Sequence, residues 1–472
     1  MTNPSGELGE LSAVELSGLF RSGEASPVEA VTAALSRIER FNPDVNAFAH
    51  VTPEIALAAA REAERRYLKG EPLGDIDGLP ITIKELTPVI GIPQRNGSAL
   101  GSTSPARKEP LVVRRLRGAG AAILGTTTSP ELGWKGVTHG PATGITRNPW
   151  RKDRAAGGSS GGAAVAAALN MGVLHDGSDG GGSIRIPASF CGVVGFKPTF
   201  GWIPPAAANP HFELGHRGPL GRHVEDTLLY FNAAAGGSTE AMLGYCPSEV
   251  PDWRPCLAEG VQGLRVGYSR TLGYGHVDPD VAATVDRAAE RIAGLGAIVE
   301  SVDGLFPDPH QAYLTLWWSA AANMIRKMAL TPEQHAMLDP GLARVAEAGR
   351  QLTADDYIEA RLVLGEVRRA MAEFHRNYDV LMLPTMPITA FEAGCDVPPS
   401  SGMAEWSEWS PFTYPFNMTS QPAISVPCGF DRAGLPVGLQ LVGRAYRDDV
   451  VLRLAAAYQT AYPEPLPNRP SD

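Results

Sequence analysis

The sequence predicts an α/β protein, a central mixed β-sheet covered by helices on both faces, as one large domain over residues 1–472. Three observations carry this. Helical stretches alternate with short strand-like runs along much of the chain. Those runs, such as Ala121-Ala122-Ile123-Leu124 and Val380-Leu381-Met382-Leu383, are apolar throughout, as strands buried on both faces are. The 52 glycines and 40 prolines are spread over the whole length, which marks many turns and no low-complexity tail.

Taken in order, residues 11–40 have helical apolar spacing, and Ser26-Pro27-Val28-Glu29 supplies an N-cap, a first-turn proline and an acidic first turn. A second helix covers 55–67 and ends near Gly70. Ile81-Thr82-Ile83 is a β-branched run, which puts Lys84 at the end of a buried strand. Residues 112–116 are helical up to Gly118-Ala119-Gly120, and 121–125 form a buried strand after it. Residues 163–170 are nearly all alanine, so they form a closely packed helix directly after a glycine run. That run therefore sits at a helix N-terminus, where main-chain N–H groups point outward.

Residues 202–217 read as loop. Residues 281–295 and most of 311–372 are helical, with Trp317 and Trp318 inside, so 250–372 is expected to be a peripheral helical portion. A buried strand at 380–383 is closed by Pro384, a strand pair at 423–427 and 437–442 is joined through Gly434-Leu435-Pro436, and 449–458 is a last helix.

A net charge of −10 with no Lys/Arg-dense stretch argues against nucleic acid as a partner. Cys191, Cys246, Cys256, Cys395 and Cys428 are scattered, without a CxxC pair or a His/Cys cluster, so neither a disulfide framework nor a metal site is indicated. A reducing cytoplasm fits this usage. Met1-Thr2-Asn3-Pro4-Ser5-Gly6-Glu7 lacks the basic start and apolar core of a signal peptide, and no apolar run approaches the ~18 residues of a membrane span. A soluble protein without a membrane partner is expected. No Gly-rich loop ends in Gly-Lys-Ser/Thr, and no cofactor is implied.

The chemistry concentrates in two serine-bearing glycine runs whose serines, Ser159 and Ser183, lie 24 residues apart. The first is Gly157-Gly158-Ser159-Ser160-Gly161-Gly162, and the second is Gly177-Ser178-Asp179-Gly180-Gly181-Gly182-Ser183. Amide or ester cleavage needs a nucleophile, a base and donors for the oxyanion. Ser183 follows three glycines, so the N–H groups of Gly180, Gly181, Gly182 and Ser183 can line one concavity. None of the ten histidines forms a triad order with a nearby aspartate. Lys84 is the alternative base, provided that burial and a nearby positive charge lower its pKa from ~10.4 toward about 7–8. Ser159 can then relay the proton between Lys84 and Ser183. Taken singly, the lysine reads as a strand-end charge and each glycine run as a turn or anion nest. The first run also has the form of a G-x-S-x-G elbow, but the polar Asn148-Pro149-Trp150-Arg151-Lys152-Asp153-Arg154 stands where that motif needs a strand.

The order and spacing of the three elements resemble the amidase signature family, with its Ser–cis-Ser–Lys triad. The resemblance assigns Lys84 as base, Ser159 as the bridging serine behind a cis peptide, and Ser183 as the acylated nucleophile. Further segments match around them: Gly97-Ser98, Thr146-Arg147-Asn148-Pro149-Trp150, Cys191-Gly192-Val193-Val194-Gly195-Phe196-Lys197-Pro198-Thr199, Asp379-Val380-Leu381-Met382-Leu383-Pro384-Thr385 and Gly434-Leu435-Pro436-Val437-Gly438-Leu439-Gln440. Glu85 stands where the family usually has Asp, Ser178 where Thr is usual, Thr126 at the place of a frequent Lys, and Trp202 where Arg is often found. Gly180 replaces a bulkier oxyanion-hole residue.

The resemblance implies an amidohydrolase acting on linear amides through a serine acyl-enzyme, with a homodimer as a common assembly. The aromatic-rich segment 403–416, with Trp317 and Trp318, offers walls for an apolar pocket. Trp134 and Gly136 lie on a loop that in the family passes beside the reacting carbonyl. These features point to small or medium apolar or aryl amides, with esters and carbamates (urethanes) open to the same chemistry. The rival is the glutaminase subunit of a tRNA-dependent amidotransferase, which the aromatic loop suits poorly.

Overall fold

The first helices start where the sequence places its caps. Ser12 and Ser26 each form a capping box with the glutamate three residues on, opening α1 (Ala13–Ser22) and α2 (Pro27–Val45), and Gly70 ends α3 (Pro53–Lys69) in the left-handed conformation. The computed structural model describes residues 8–204, 210–237 and 249–467; the N-terminal heptapeptide and Cys246 lie outside them. The longer helices that follow are α4 (Leu111–Gly118), α5 (Gly161–Ala168), α6 (Arg185–Cys191), α7 (Val224–Ala234), α8 (Pro279–Gly294), α9 (His310–Met328), α10 (Pro340–Arg350), α11 (Ala354–Phe374) and α12 (Asp448–Ala461).

One sheet of eleven strands runs through the described residues. In chain order they are β1 (Phe48–Val51), β2 (Pro80–Lys84), β3 (Ala122–Thr127), β4 (Leu174–Asp179), β5 (Val194–Lys197), β6 (His216–Gly221), β7 (Arg265–Tyr268), β8 (Ile298–Ser301), β9 (Val380–Pro384), β10 (Ala423–Phe430) and β11 (Pro436–Gly443). In space the order is β1-β3-β2-β4-β6-β5-β10-β11-β9-β7-β8. Neighbours are parallel at β3–β2, β2–β4, β9–β7 and β7–β8, and antiparallel elsewhere, so the sheet is mixed.

Helices cover both faces. Residues of α1, α4, α7, α8 and α12 share one apolar cluster with the sheet, whereas α2, α3, α5 and α6 share another. Every residue of α5 is buried, which explains its composition: a Cβ on Gly162 would collide with the Ala47 carbonyl oxygen.

The 250–372 stretch, expected as a peripheral helical portion, also carries strands of the main sheet. Besides α8 to α11 (the last of which ends just beyond it), this stretch supplies β7 and β8, which extend the main sheet beside β9. Each has four residues, and the β8 side chains are exposed or half-buried, so neither shows an apolar run. The 202–217 loop likewise gives way to β6 at His216.

For the site, the decisive feature is the β2–β4 pair. These strands are parallel, with Ile81 opposite Leu174 and Thr82 opposite His175. Their C-terminal ends therefore lie on the same edge of the sheet, where loops between strand and helix leave a crevice. Lys84 ends β2 and Asp179 ends β4.

Candidate active site

Lys84 is fully buried, and its ammonium position is ringed by hydroxyls. Nζ lies 2.7 Å from Ser159 Oγ, 2.9 Å from Ser160 Oγ and 3.0 Å from Ser178 Oγ. The residues come from three elements: the end of β2, the turn into α5, and β4. Ser178, which departs from the usual threonine, still provides the hydroxyl that Lys84 contacts. Burial lowers the Lys84 pKa to about 7, assisted by the positive Arg217 and opposed by Asp176. Asp176 and Arg217 form a buried ion pair at 2.5 Å, and Asp176 also accepts from the Tyr230 hydroxyl and the Lys84 main-chain N–H. The pair largely cancels its own field at the amine, so desolvation decides the outcome.

The Gly158–Ser159 peptide bond is cis. Thr138 fastens this turn, donating its hydroxyl to the Gly157 carbonyl at 2.8 Å and accepting the Gly161 N–H at 3.1 Å. The two glycine runs meet directly, because the Ser160 N–H donates to the Ser183 carbonyl at 3.1 Å. Ser183 is almost fully buried, and its hydroxyl has no hydrogen-bond partner among the described residues.

Asp179 shapes the run that leads to Ser183. Its carboxylate accepts the Gly182 N–H at 2.6 Å, the Ile184 N–H at 3.1 Å, and Arg185 through Nε and Nη2 at 3.0 Å each. Burial alone would raise this carboxyl, but Arg185 outweighs it and keeps it well below the usual carboxylate range. Arg185 continues to Gln440 Oε1 at 2.7 Å and Asn417 Oδ1 at 2.6 Å, which ties the run to β11 and the 415–418 turn. The expected set of four oxyanion donors is therefore reduced, since the Gly182 N–H is directed to Asp179. The N–H groups of Gly180, Gly181 and Ser183 have no acceptor among the described residues. Asp179→Asn removes the charge that balances buried Arg185. The expected cost is about 3–5 kcal/mol of stability, read as a fall in the midpoint of denaturant unfolding.

An aromatic wall stands beside the glycines. A Cβ on Gly180 would lie 2.9 Å from Trp317, and one on Gly136 would lie 2.8 Å from Trp406 and 3.0 Å from Trp409. Trp317 and Trp406 meet edge to face at 5.9 Å, and Trp317 Nε1 donates to the Trp134 carbonyl at 3.0 Å. Gly136 and Trp317 are thus gathered at the runs, whereas Trp134 joins Trp317 through its main-chain carbonyl and its ring packs against Gly341 of α10. Trp318 does not join them: its carbonyl faces Gly349 of α10, and its side chain is half-buried against the apolar cluster to which Trp317 belongs. Tyr313, one turn before Trp317, is absent from the sequence-based expectations, although an i, i+4 aromatic pair on a helix signals one shared face. The contact with Trp317 also gives a reason for glycine at position 180.

Among the described residues no group of His, Cys, Asp and Glu could hold a metal ion, and no helix is long and apolar enough to cross a membrane. The Amidase family model covers residues 29–452. The chain belongs to the amidase signature family. Its relatives include an acylamidase of Rhodococcus erythropolis, 36% identical over 96% of this chain and 96% of that protein. A glutamyl-tRNA(Gln) amidotransferase subunit of Gloeobacter violaceus is 35% identical over 95% of this chain and 96% of that one. A bacterial aryl acylamidase of known structure superposes with a TM-score of 0.89 at 29% identity, covering 96% of both chains. As an amidase signature enzyme the protein is an amidohydrolase.

Proposed function

We propose that the protein hydrolyses small or medium, flat and largely apolar amides, aryl amides foremost, through an acyl-enzyme on Ser183. Esters and carbamates would enter the same path. One observation carries the reading: a fully buried amine, its pKa lowered to about 7, lies 2.7 Å from a serine hydroxyl on a turn bonded to Ser183.

In this reading Lys84 in its neutral form accepts the Ser159 proton while Ser159 takes the proton of Ser183. Ser183 Oγ attacks the carbonyl carbon, and the charge moving onto the carbonyl oxygen is met by the N–H groups of Gly180, Gly181 and Ser183. Collapse expels the amine, which receives its proton back along the same path. Water then repeats the sequence to release the acid. The Trp317 and Trp406 wall supports an aromatic or apolar group next to the carbonyl.

The likeness to the amidotransferase component supports a second reading, glutamine hydrolysis within an assembly. It fits less well. A free amino acid needs an arginine for its carboxylate, and Arg185 and Arg217 are each paired with a buried aspartate.

The test is intact-mass analysis after exposure to a fluorophosphonate, together with turnover of a chromogenic anilide by the protein alone. One adduct and a burst of released amine are expected; no adduct and no turnover of any amide, ester or carbamate would overturn the proposal. The pH profile gives an independent check. Because the base must be uncharged, kcat/KM should rise with pH through a single limb centred at about 7 and level off above it.

A further inference from the structure

Helix α9 presses directly on the glycine run. Where Trp317 takes the space beside Gly180, the Tyr313 hydroxyl oxygen takes the space beside Gly181, and a Cβ there would overlap it. Thr413 donates its hydroxyl to the Gly181 carbonyl at 2.6 Å. Gly181 is thus held by a hydrogen bond at its carbonyl and stopped at its Cα by the tyrosine oxygen.

The tyrosine is fully buried, stacked on Tyr414 at 4.6 Å and on Trp317 at 5.7 Å. Its hydroxyl has no hydrogen-bond partner among the described residues. Leaving a buried hydroxyl unpaired costs free energy that a phenylalanine of the same shape would not incur. Packing therefore accounts for the ring and not for the oxygen. Burial holds the phenol's pKa well above its ordinary value, so it keeps its proton throughout the working range. What the oxygen abuts is Gly181, with the edge of Trp406 beside it.

We infer that Tyr313 is a positioning residue for acyl transfer: its hydroxyl is the spacer that holds Gly181, and with it the adjoining N–H groups, aimed at the carbonyl oxygen as charge develops there. Without that one atom the Gly181 peptide is free to shift toward α9, and the donors leave their line. The inference rests on the reading of Ser183 as nucleophile.

Tyr313→Phe tests it, since only one buried atom is removed. The expected result is a fall in kcat of about 10-fold, short of the 10²–10³ that follows loss of a whole oxyanion donor, with KM held within about twofold. Tm should hold or rise. A second readout separates positioning from packing: the rate ratio between an oxygen ester and its thiono analogue. A cradle set for oxygen gives a high ratio, and the variant should lower it. An unchanged kcat, or a loss that tracks a lower Tm with the ratio intact, would overturn the inference. Fluorophosphonate labelling keeps the two claims apart. If the native protein takes no adduct, the Ser183 reading has failed; if both proteins label and turn over equally, only the role of Tyr313 has.

Discussion

Ser183→Ala is expected to lower anilide turnover by a factor on the order of 10⁵ or more, the scale on which serine hydrolases lose activity with their nucleophile. The fluorophosphonate adduct should vanish with it. Folding should be nearly untouched, because the Ser183 hydroxyl bonds to nothing among the described residues, and its main-chain carbonyl still accepts the Ser160 N–H. A stability change within about 0.5 kcal/mol is the expected range for such a substitution. Retained turnover in a folded variant would move the chemistry to another group, with Ser159 the first to examine.

Lys84→Met is the second large effect. The side chain keeps most of its volume and loses the base, so kcat should fall by about 10²–10⁴, and the limb near pH 7 should disappear from the profile. Stability should respond with a definite sign. The folded-state pKa of about 7 lies below the unfolded value of 10.5, so the unfolded chain holds more protons between them, and native stability rises with pH across that window. Below about pH 7 the native protein carries the whole cost of a buried ammonium. The methionine variant, measured against the native protein by denaturant unfolding, should therefore compare best at pH 6 and progressively worse toward pH 10. A difference that stays flat with pH would mean that Lys84 is not perturbed.

The residues that set local structure are legible in the sequence. Ser26-Pro27 starts a helix because its cap and ring geometry act within one turn, and the 163–170 alanines form a packed helix because little else fits beneath β2 and β4. Lys84, Ser159 and Ser183 can be named from spacing and resemblance, yet what joins them is a parallel strand pair that no local pattern displays. β4 gives no strand signal, since Leu174-His175-Asp176-Gly177-Ser178-Asp179 is mostly polar; its polar groups are satisfied by Arg217, Arg185 and the Lys84 amine, partners that only the fold brings near. The same holds for β7 and β8. β7 pairs with β9, which lies more than 110 residues further along the chain, and tertiary context overrides a weak strand signal. Adjacency alone groups Trp318 with Trp317, whereas the helical turn sends neighbours to different faces and joins Trp317 to Tyr313 instead.

The most direct test of the central claim is titration of the Lys84 amine itself, by NMR of protein carrying ¹³C at the lysine ε-carbons, with the signal assigned by its loss in Lys84→Met. One lysine is expected to show an ε-carbon shift that changes with a midpoint at about pH 7, well below the ordinary 10.5 of a lysine. If every lysine remains protonated beyond pH 9, the amine cannot serve as the base, and the proton path from Ser183 must lead elsewhere.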